Sequence, residues 1–266
     1  ADCVLAPERS ARTRLRRLLT SSLPDMAWRL PSEEFSALLT QVLRRENFDI
    51  VQVESMEVAQ YALQATTERA SGSRRPLVFF DNLNAEYVLQ RRAYEIDRRR
   101  LKTWPKALYS WLQWRRLRSY ETRVCTRVDG VLAVSEADAH AIQELDESIR
   151  VSVVPNGVDC TFFSTAAKPA EYPEETKIKH LASIVFTGTM NFRPNVDAVL
   201  WFCEEILPLI KKEAYHVHFY IVGQWPTAAV RALAGPAVSV TGYVSDIRPY
   251  IMNSAVYVVP MRMGSG

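Results

Sequence analysis

The chain of 266 residues is 48% hydrophobic and 24% charged, with a formal net charge of +3. This composition is typical of a globular protein and excludes a disordered polymer, a collagen-like chain and a disulfide-stabilised miniprotein. The uncharged apolar runs fall well short of the roughly 20 residues that a membrane-spanning helix needs. The length predicts two domains of ordinary size.

The first part of the chain alternates short apolar runs with helical patterns, which predicts a parallel α/β sheet. One helix is predicted over 8–19 and another near 55–70. A long basic helical region, interrupted near Pro105, separates the second predicted strand from the third. The strands are predicted over 48–53, 77–80, 130–134 and 150–154.

The second part of the chain repeats this alternation after a polar tract over 164–180. A helix over 195–207 is expected to stop at Pro208, and a shorter helix is predicted over 246–252. The strands are predicted over 183–186, 216–222, 238–240 and 256–259.

These patterns predict two Rossmann-like domains, residues 1–157 and 158–266. The turn Pro155-Asn156-Gly157 ends the first domain. The four cysteines have no C-x-x-C spacing, which fits a reducing compartment and predicts a cytoplasmic protein. They are Cys3, Cys125, Cys160 and Cys203.

Small residues recur at the predicted carboxyl ends of the strands in the second domain. Ligands of open parallel sheets bind at these ends, and glycine lets a backbone approach a diphosphate closely. The pattern therefore favours a nucleotide-like ligand, although each glycine alone is explained by a tight turn. The residues are Gly188, Gly223, Gly242, Gly264 and Gly266.

A polar loop follows the second predicted strand of the first domain. Its polar residues are Asp81, Asn82, Asn84 and Glu86. They are interpreted either as turn and cap residues or as contacts to a hydroxylated substrate. Ser135-Glu-Ala-Asp138 has the form of a capping box and is expected to be structural.

Metal and nucleophile signatures are missing from the sequence. It contains no Asp-x-Asp, P-loop or G-x-S-x-G. His216 and His218 lie on one face of a predicted strand without a third ligand nearby in sequence, so a structural role is favoured. We expect no metal and no cofactor.

The segment 91–118 carries ten basic residues against Glu95 and Asp97. It also carries a helical stripe formed by Leu101, Trp104, Leu108, Trp111 and Leu112. Such a stripe is ordinarily core-facing. The alternative is that 91–118 binds an anionic membrane surface, where Trp, Arg and Lys suit the interface. Nucleic-acid binding is not expected, since no reading module accompanies the segment.

Eight short motifs follow one another along the chain. The first four are Phe48-Asp-Ile-Val-Gln-Val-Glu54, Asp81-Asn-Leu-Asn-Ala-Glu86, Val131-Leu-Ala-Val-Ser135 and Val154-Pro-Asn-Gly-Val-Asp159. The others are Phe186-Thr-Gly-Thr-Met190 with Pro194-Asn195, Ile221-Val-Gly223, Val240-Thr-Gly-Tyr-Val244 and Pro260-Met-Arg-Met-Gly-Ser-Gly266. In this order they resemble a retaining glycosyltransferase of family 4 type.

The resemblance implies a GT-B fold, in which two Rossmann-like domains face a cleft. It implies metal-independent transfer of a sugar from a nucleotide-sugar donor to a glycan or lipid-linked acceptor. Asp81, Asn82, Asn84 and Glu86 would line the acceptor side. The implied donor-binding residues are Gly188, Thr189, Arg193, Gly223, Tyr243, Val244, Gly264, Ser265 and Gly266.

The sequence departs from the family pattern at three places. Thr189 and Pro194 stand where many members carry an Arg and Lys clamp on the diphosphate, and Arg193 is the candidate replacement. Leu83 stands where relatives often have a His.

We also expect both domains to be incomplete at the chain ends. The first strands of the N-terminal domain and the family's Glu-x7-Glu are expected beyond the given sequence, the latter after Gly266. The catalytic residues therefore stay unassigned, and we expect the chain to be inactive on its own and to belong to an active parent.

The expected role is synthesis of surface polysaccharide or glycoconjugate on the inner face of a membrane. Two alternatives stay open at this point. A sugar-nucleotide epimerase would share the donor site and need no acceptor. A non-catalytic domain would keep the fold and bind a glycan or a partner.

Overall fold

The computed structural model describes residues 4–5, 10–70, 72, 74–99, 101–164 and 182–264. The chain divides into two compact units, Ala1–Asn156 and Gly157–Gly264. Most of the polar tract predicted over 164–180 lies outside the described residues.

The N-terminal unit is built on a four-stranded parallel sheet with the order β1-β2-β3-β4. Val78, Phe80 and Val131 on its central strands are almost completely buried, as expected for a parallel sheet covered by helices on its faces. The strands are β1 (Ile50–Glu54), β2 (Leu77–Asn82), β3 (Gly130–Ala133) and β4 (Val151–Val153). The helices are α1 (Ala11–Thr20), α2 (Glu33–Arg45), α3 (Ala59–Ala65), α4 (Glu86–Asp97), α5 (Trp104–Cys125) and α6 (Glu136–Gln143).

The C-terminal unit is built on a second four-stranded parallel sheet, with the order β7-β6-β5-β8. All five residues of β6 are buried, because this strand lies between two others and has both faces covered. The strands are β5 (Ser183–Thr187), β6 (His218–Val222), β7 (Val238–Gly242) and β8 (Val256–Tyr257). The helices are α7 (Arg193–Trp201), α8 (Leu207–Glu213), α9 (Ala228–Arg231) and α10 (Arg248–Asn253).

The prediction that Pro208 ends a helix is wrong. After α7 the chain makes a π-helical segment over Phe202–Ile206 and continues directly into α8. Pro208 lies in the first turn of α8, where an N–H has no intrahelical partner to lose. The wider π turn accommodates the proline ring.

Pro105 occupies the same kind of position and does separate two helices. α4 ends at Asp97, a short 3-10 turn spans Leu101–Thr103, and Pro105 lies in the first turn of α5. The resulting helical hairpin is the largest helix–helix contact of the N-terminal unit, as the stacking of Tyr94 on Trp114 at 6.1 Å illustrates.

Phe219→Ala is expected to destabilise the C-terminal unit by about 3–5 kcal/mol, because it removes a fully buried ring from β6 and leaves a cavity. The ring centroid of Phe219 lies 4.6 Å from that of Phe202, so both would lose contacts. Urea unfolding would measure the change. Leu209→Ala, at a leucine that is 57% exposed, is the control and should cost little. Equal effects of the two substitutions would contradict this packing.

Candidate functional site

The carboxyl ends of β5, β6 and β7 are joined through the backbones of three glycines. The Gly188 N–H donates to the Val222 carbonyl oxygen at 3.0 Å, and the Gly223 N–H donates to the Gly242 carbonyl oxygen at 3.1 Å. Both glycine N–H groups are therefore used inside the protein. Hydrogen bonds to a ligand at this edge would have to come from other groups.

Gly223 cannot be replaced without moving its neighbour. Its φ is +150°, and a Cβ built there would lie 1.7 Å from the carbonyl oxygen of Gly188. A Cβ built on Gly188 would lie 2.7 Å from Nδ2 of Asn195. These two predicted donor-side residues thus lie against each other at the edge of the sheet.

The loop after β5 is held in place by backbone and amide hydrogen bonds. Met190 N–H donates to the Gln224 carbonyl oxygen at 2.8 Å, which ties this loop to the loop after β6. Asn195 Nδ2 donates to the Thr189 carbonyl oxygen at 3.1 Å. Arg193 is exposed at the start of α7, so it lies beside the loop that carries Thr189.

The loop after β7 begins at Gly242, whose φ of +73° places it in the left-handed region. Tyr243 follows and is 74% exposed. Val244 is half-buried and packs on the cluster formed by Val185, Tyr220, Val222 and Tyr250. The predicted base-side residues therefore present one anchored aliphatic side chain and one exposed aromatic ring.

The segment that leads to Gly264 is anchored to α7. Arg262 Nε donates to Asp197 Oδ2 at 2.9 Å, and the Arg262 guanidinium lies 5.1 Å from the centre of the Trp201 ring. Met263 is 3% exposed. Gly264 thus lies on the same unit as Gly188 and Gly223, whereas the predicted residues Ser265 and Gly266 lie outside the described residues.

In the N-terminal unit, three of the predicted acceptor-side residues follow one another from the end of β2, through the next loop, to the start of α4. Gln52 Nε2 donates to Asp81 Oδ2 at 3.1 Å, so Asp81 is held from the neighbouring strand β1. Asn84 and Glu86 are half-buried. A hydrogen bond from Asn84 favours the ionised form of Glu86, while burial is the stronger effect and raises its pKa.

Asn82 lies beneath this loop and is 1% exposed. Its Nδ2 donates to Oε1 of Glu121 on α5 at 2.7 Å. The same carboxylate accepts the N–H groups of Glu86 at 3.2 Å and of Tyr87 at 3.0 Å. Asn82 and Glu121 therefore fix the loop from inside and cap the first turn of α4.

Asp138 supports the same loop from α6. Its amide N–H donates to Ser135 Oγ at 3.0 Å, which confirms Ser135 as a helix N-cap. The Asp138 carboxylate accepts the Ala85 N–H at 3.0 Å and lies 2.7 Å from Ser135 Oγ. The capping motif thus has a second function, because its acid reaches across to the polar loop.

The Glu121 carboxyl is the most strongly perturbed acid of this region. Its side chain is fully buried, and this burial raises its pKa from 4.5 to about 7. The hydrogen bonds from Asn82, Tyr87 and Glu86 act in the opposite direction because they stabilise the charged form.

The sequence reasoning missed Glu121 and Trp225. Glu121 carries a weak signal, an acidic residue on the apolar face of a helix between Leu117 and Val124. Trp225 follows β6, is 63% exposed and has a φ of +56°. A bulky residue in this region is strained, and such residues cluster at functional sites.

His218 has a packing role in the C-terminal unit, whereas His216 is exposed and lies before β6, so the two do not share a strand as predicted. His218 is 6% exposed, and its Nε2 lies 2.8 Å from Ser239 Oγ. Within the described residues, no group of three His, Cys, Asp or Glu side chains has the arrangement of a metal site. The helices in that part of the chain include none that is long and apolar enough to cross a bilayer.

Two family models match the chain, one on each unit. The model described as Glycosyltransferase Family 4 matches residues 2–162. The chain belongs to glycosyltransferase family 4. The model described as Glycosyl transferases group 1 matches residues 182–266. No curated protein matched the sequence.

Solved structures with the GT-B fold resemble this family 4 chain at low sequence identity. The OtsA apo structure has a TM-score of 0.55 at 13% identity and covers 96% of this chain and 66% of its own. Sucrose-phosphate synthase from Thermosynechococcus elongatus has a TM-score of 0.56 at 12% identity, covering 88% and 55%. An E. coli trehalose-6-phosphate structure bound with UDP-2-fluoro glucose has a TM-score of 0.53 at 14% identity, covering 88% and 57%.

These likenesses show the fold. Together with the two parallel-sheet units, they confirm the predicted GT-B architecture. The chain spans between 55% and 66% of the length of these three structures.

Gly223→Ala is expected to displace the loops after β5 and β6 and to destabilise the C-terminal unit by about 1–3 kcal/mol, since an added methyl group overlaps the Gly188 carbonyl. Gly235→Ala is the control, because a Cβ there meets nothing within 4 Å. Thermal or urea unfolding of both variants would measure the difference. A Gly223→Ala variant as stable as the control would contradict the contact.

The ionisation of Glu121 is expected to destabilise the N-terminal unit as the pH rises from about 4.5 to about 7. The folded chain holds this proton more tightly than the unfolded chain in that interval, so stability falls with rising pH. Glu121→Gln should remove this dependence of stability on pH. It should also lower the free energy of unfolding by about 1–3 kcal/mol, because an amide NH2 group cannot accept the hydrogen bond of the N–H group that it would face. Urea unfolding at several pH values in this interval tests the prediction. The same change of unfolding free energy with pH in both proteins would contradict it.

Proposed function

We propose that the protein transfers a sugar from a nucleotide-sugar donor to a glycan or lipid-linked acceptor, with retention at the anomeric carbon and without a metal ion. The proposed setting is synthesis of surface polysaccharide or glycoconjugate on the cytoplasmic face of a membrane. The observation that carries the proposal is the glycine edge of the C-terminal unit, Gly188 against Gly223, within a family 4 chain.

The donor diphosphate is assigned to the edge formed by the loops after β5 and β6. The Asn195 side chain lies against Gly188 and the Gly188 carbonyl lies against Gly223, so the diphosphate is assigned to the groups that surround these two glycines. The start of α7 lies at the same edge and favours negative charge. Arg193, exposed at that start, is assigned as the cation that neutralises the departing diphosphate.

The base and the donor sugar are assigned to the flanking loops of the same unit. Val244, anchored in the core, and Tyr243, exposed beside it, border the nucleoside. The segment that leads to Gly264 is assigned to the phosphates and the sugar. Arg262 and Asp197 position its first part through their hydrogen-bonded ion pair.

The acceptor is assigned to the loop after β2. Asp81 and Asn84 offer hydrogen-bond acceptors and donors of the kind that bind sugar hydroxyl groups. Burial raises the pKa of Glu86 above that of an ordinary glutamate. A polar loop held by Glu121 and Asp138 is an arrangement that an epimerase, which needs no acceptor, does not require.

Arg193→Ala is expected to weaken binding of a nucleoside diphosphate about tenfold or more, because a charge-assisted contact contributes about 1.5–3 kcal/mol. Titration calorimetry with UDP and GDP would measure it. Arg231→Ala is the matched control, since Arg231 is an exposed arginine at the end of α9 in the same unit. Unchanged affinity in Arg193→Ala would remove Arg193 from the donor site.

Product analysis of the full-length protein with a panel of UDP- and GDP-sugars separates the candidate activities. A new glycosidic bond with the configuration of the donor supports the proposal. A free epimerised sugar nucleotide supports the epimerase instead. Nucleotide binding without either product supports a non-catalytic binding domain.

A further inference from the structure

The first half of α5 carries its large apolar side chains on the outside of the N-terminal unit. Trp104 is 60% exposed, Leu108 is 66% exposed and Trp111 is 38% exposed. Leu101, in the turn before α5, is 84% exposed. Monomeric proteins expose single apolar residues commonly, but a contiguous row of this kind marks an interaction surface.

The inward face of this half of α5 is formed by small and polar residues. Ala107, Ser110 and Gln113 are buried, and Gln113 Oε1 accepts the Asp25 N–H at 2.7 Å. The interpretation of the stripe as core-facing is therefore wrong for the residues from Leu101 to Trp111. Among the described residues, the hydrophobic core of the unit takes its α5 members from Trp114 onward and includes none of this outward row.

The charges around this row are basic. Arg98, Arg99, Lys102, Lys106 and Arg115 are all exposed. Of the two acids in the segment, Asp97 is buried, and Glu95 lies 3.7 Å from Arg91 in an ion pair. The Arg115 guanidinium lies 5.7 Å from the centre of the Trp111 ring, so basic and aromatic groups share one face.

We propose that this surface binds an anionic membrane surface. The row formed by Leu101, Trp104, Leu108 and Trp111 enters the interface between lipid headgroups and acyl chains, and the five surrounding cations contact acidic headgroups. Trp104 to Trp111 covers about 10 Å of helix, so the row meets the membrane along the side of α5. The combination of apolar row and cationic rim matches a lipid interface, whereas a nucleic acid would pair with the cations and leave the leucines exposed to water.

This inference does not rest on catalysis. It concerns the N-terminal unit alone, and the vesicle experiment below needs neither donor nor acceptor. A failure of sugar transfer and a failure of membrane binding are therefore distinguishable.

Co-sedimentation of the protein with vesicles tests the proposal. Vesicles of phosphatidylcholine alone are compared with an equal mixture of phosphatidylcholine and phosphatidylglycerol, at low and at high salt. We expect binding to the anionic vesicles that weakens with salt. Lys102→Gln with Lys106→Gln should lower the affinity about 30-fold, from about fivefold for each charge removed. Leu108→Ser should lower it about tenfold, since burial of a leucine in the interface is lost.

Two control variants on α8 carry the same chemical changes elsewhere. Leu209→Ser replaces an exposed leucine, and Lys211→Gln with Lys212→Gln removes two exposed lysines. Both should bind like the unmodified protein. If Leu108→Ser lowers the melting temperature, the variant with Lys102→Gln and Lys106→Gln still tests the proposal.

Three results would overturn the proposal. The first is binding that is equal on neutral and anionic vesicles. The second is equal loss of affinity in the α5 and α8 variants. The third is an absence of vesicle binding together with a dimer in sedimentation velocity that Leu108→Ser dissociates, which would assign the surface to a second copy of the chain.

Discussion

The contact between the backbones of Gly188 and Gly223 determines what the C-terminal unit presents at its sheet edge. Parallel strands end at a common edge, so the loops after β5 and β6 compete for the same space. Here the two chains approach so closely that no Cβ fits between them. The exposed side chains that follow these strand ends include Arg193, Trp225 and Tyr243. A diphosphate at this edge is therefore proposed to contact these side chains and the start of α7.

In the N-terminal unit, buried polar side chains hold the loop at the carboxyl edge of the sheet. Its loop after β2 is short, Leu83 to Ala85, and N–H groups in and after it are satisfied by carboxylates from two helices, Glu121 of α5 and Asp138 of α6. A buried carboxylate is costly unless it is fully hydrogen-bonded, and Glu121 accepts three bonds in compensation. The loop is thus held more rigidly than turn residues alone would hold it. Rigid support of this kind would preorganise the half-buried Asp81 for the proposed acceptor.

Much of this architecture follows from the sequence because its signals are local. Alternating apolar runs locate the eight strands to within about two residues, and the strand-end glycines mark the edge where Gly188 and Gly223 meet. The sequence does not locate Glu121, since its hydrogen-bond partners lie more than 30 residues away and nothing in its own helix predicts them. The prediction that Pro208 ends a helix failed for a similar reason, because a π turn depends on packing and has no characteristic amino-acid composition. Whether the α5 stripe faces the core or the solvent also depends on which side of the helix packs against the rest of the unit. Hydrophobic periodicity alone does not determine that side.

The α4–α5 hairpin connects the proposed membrane surface to the proposed acceptor loop within one rigid unit. Trp104 begins α5, and Glu121, which holds the acceptor loop, lies 17 positions later, about 25 Å along the helix. Because the exposed row runs along the side of α5, a helix bound through this row lies in the plane of the membrane. Glu121 is buried like Ser110 and lies on the same inward face of the helix, whereas Trp104 and Leu108 lie on the outward face. The loop that Glu121 holds is therefore on the side of α5 that faces away from the proposed membrane surface.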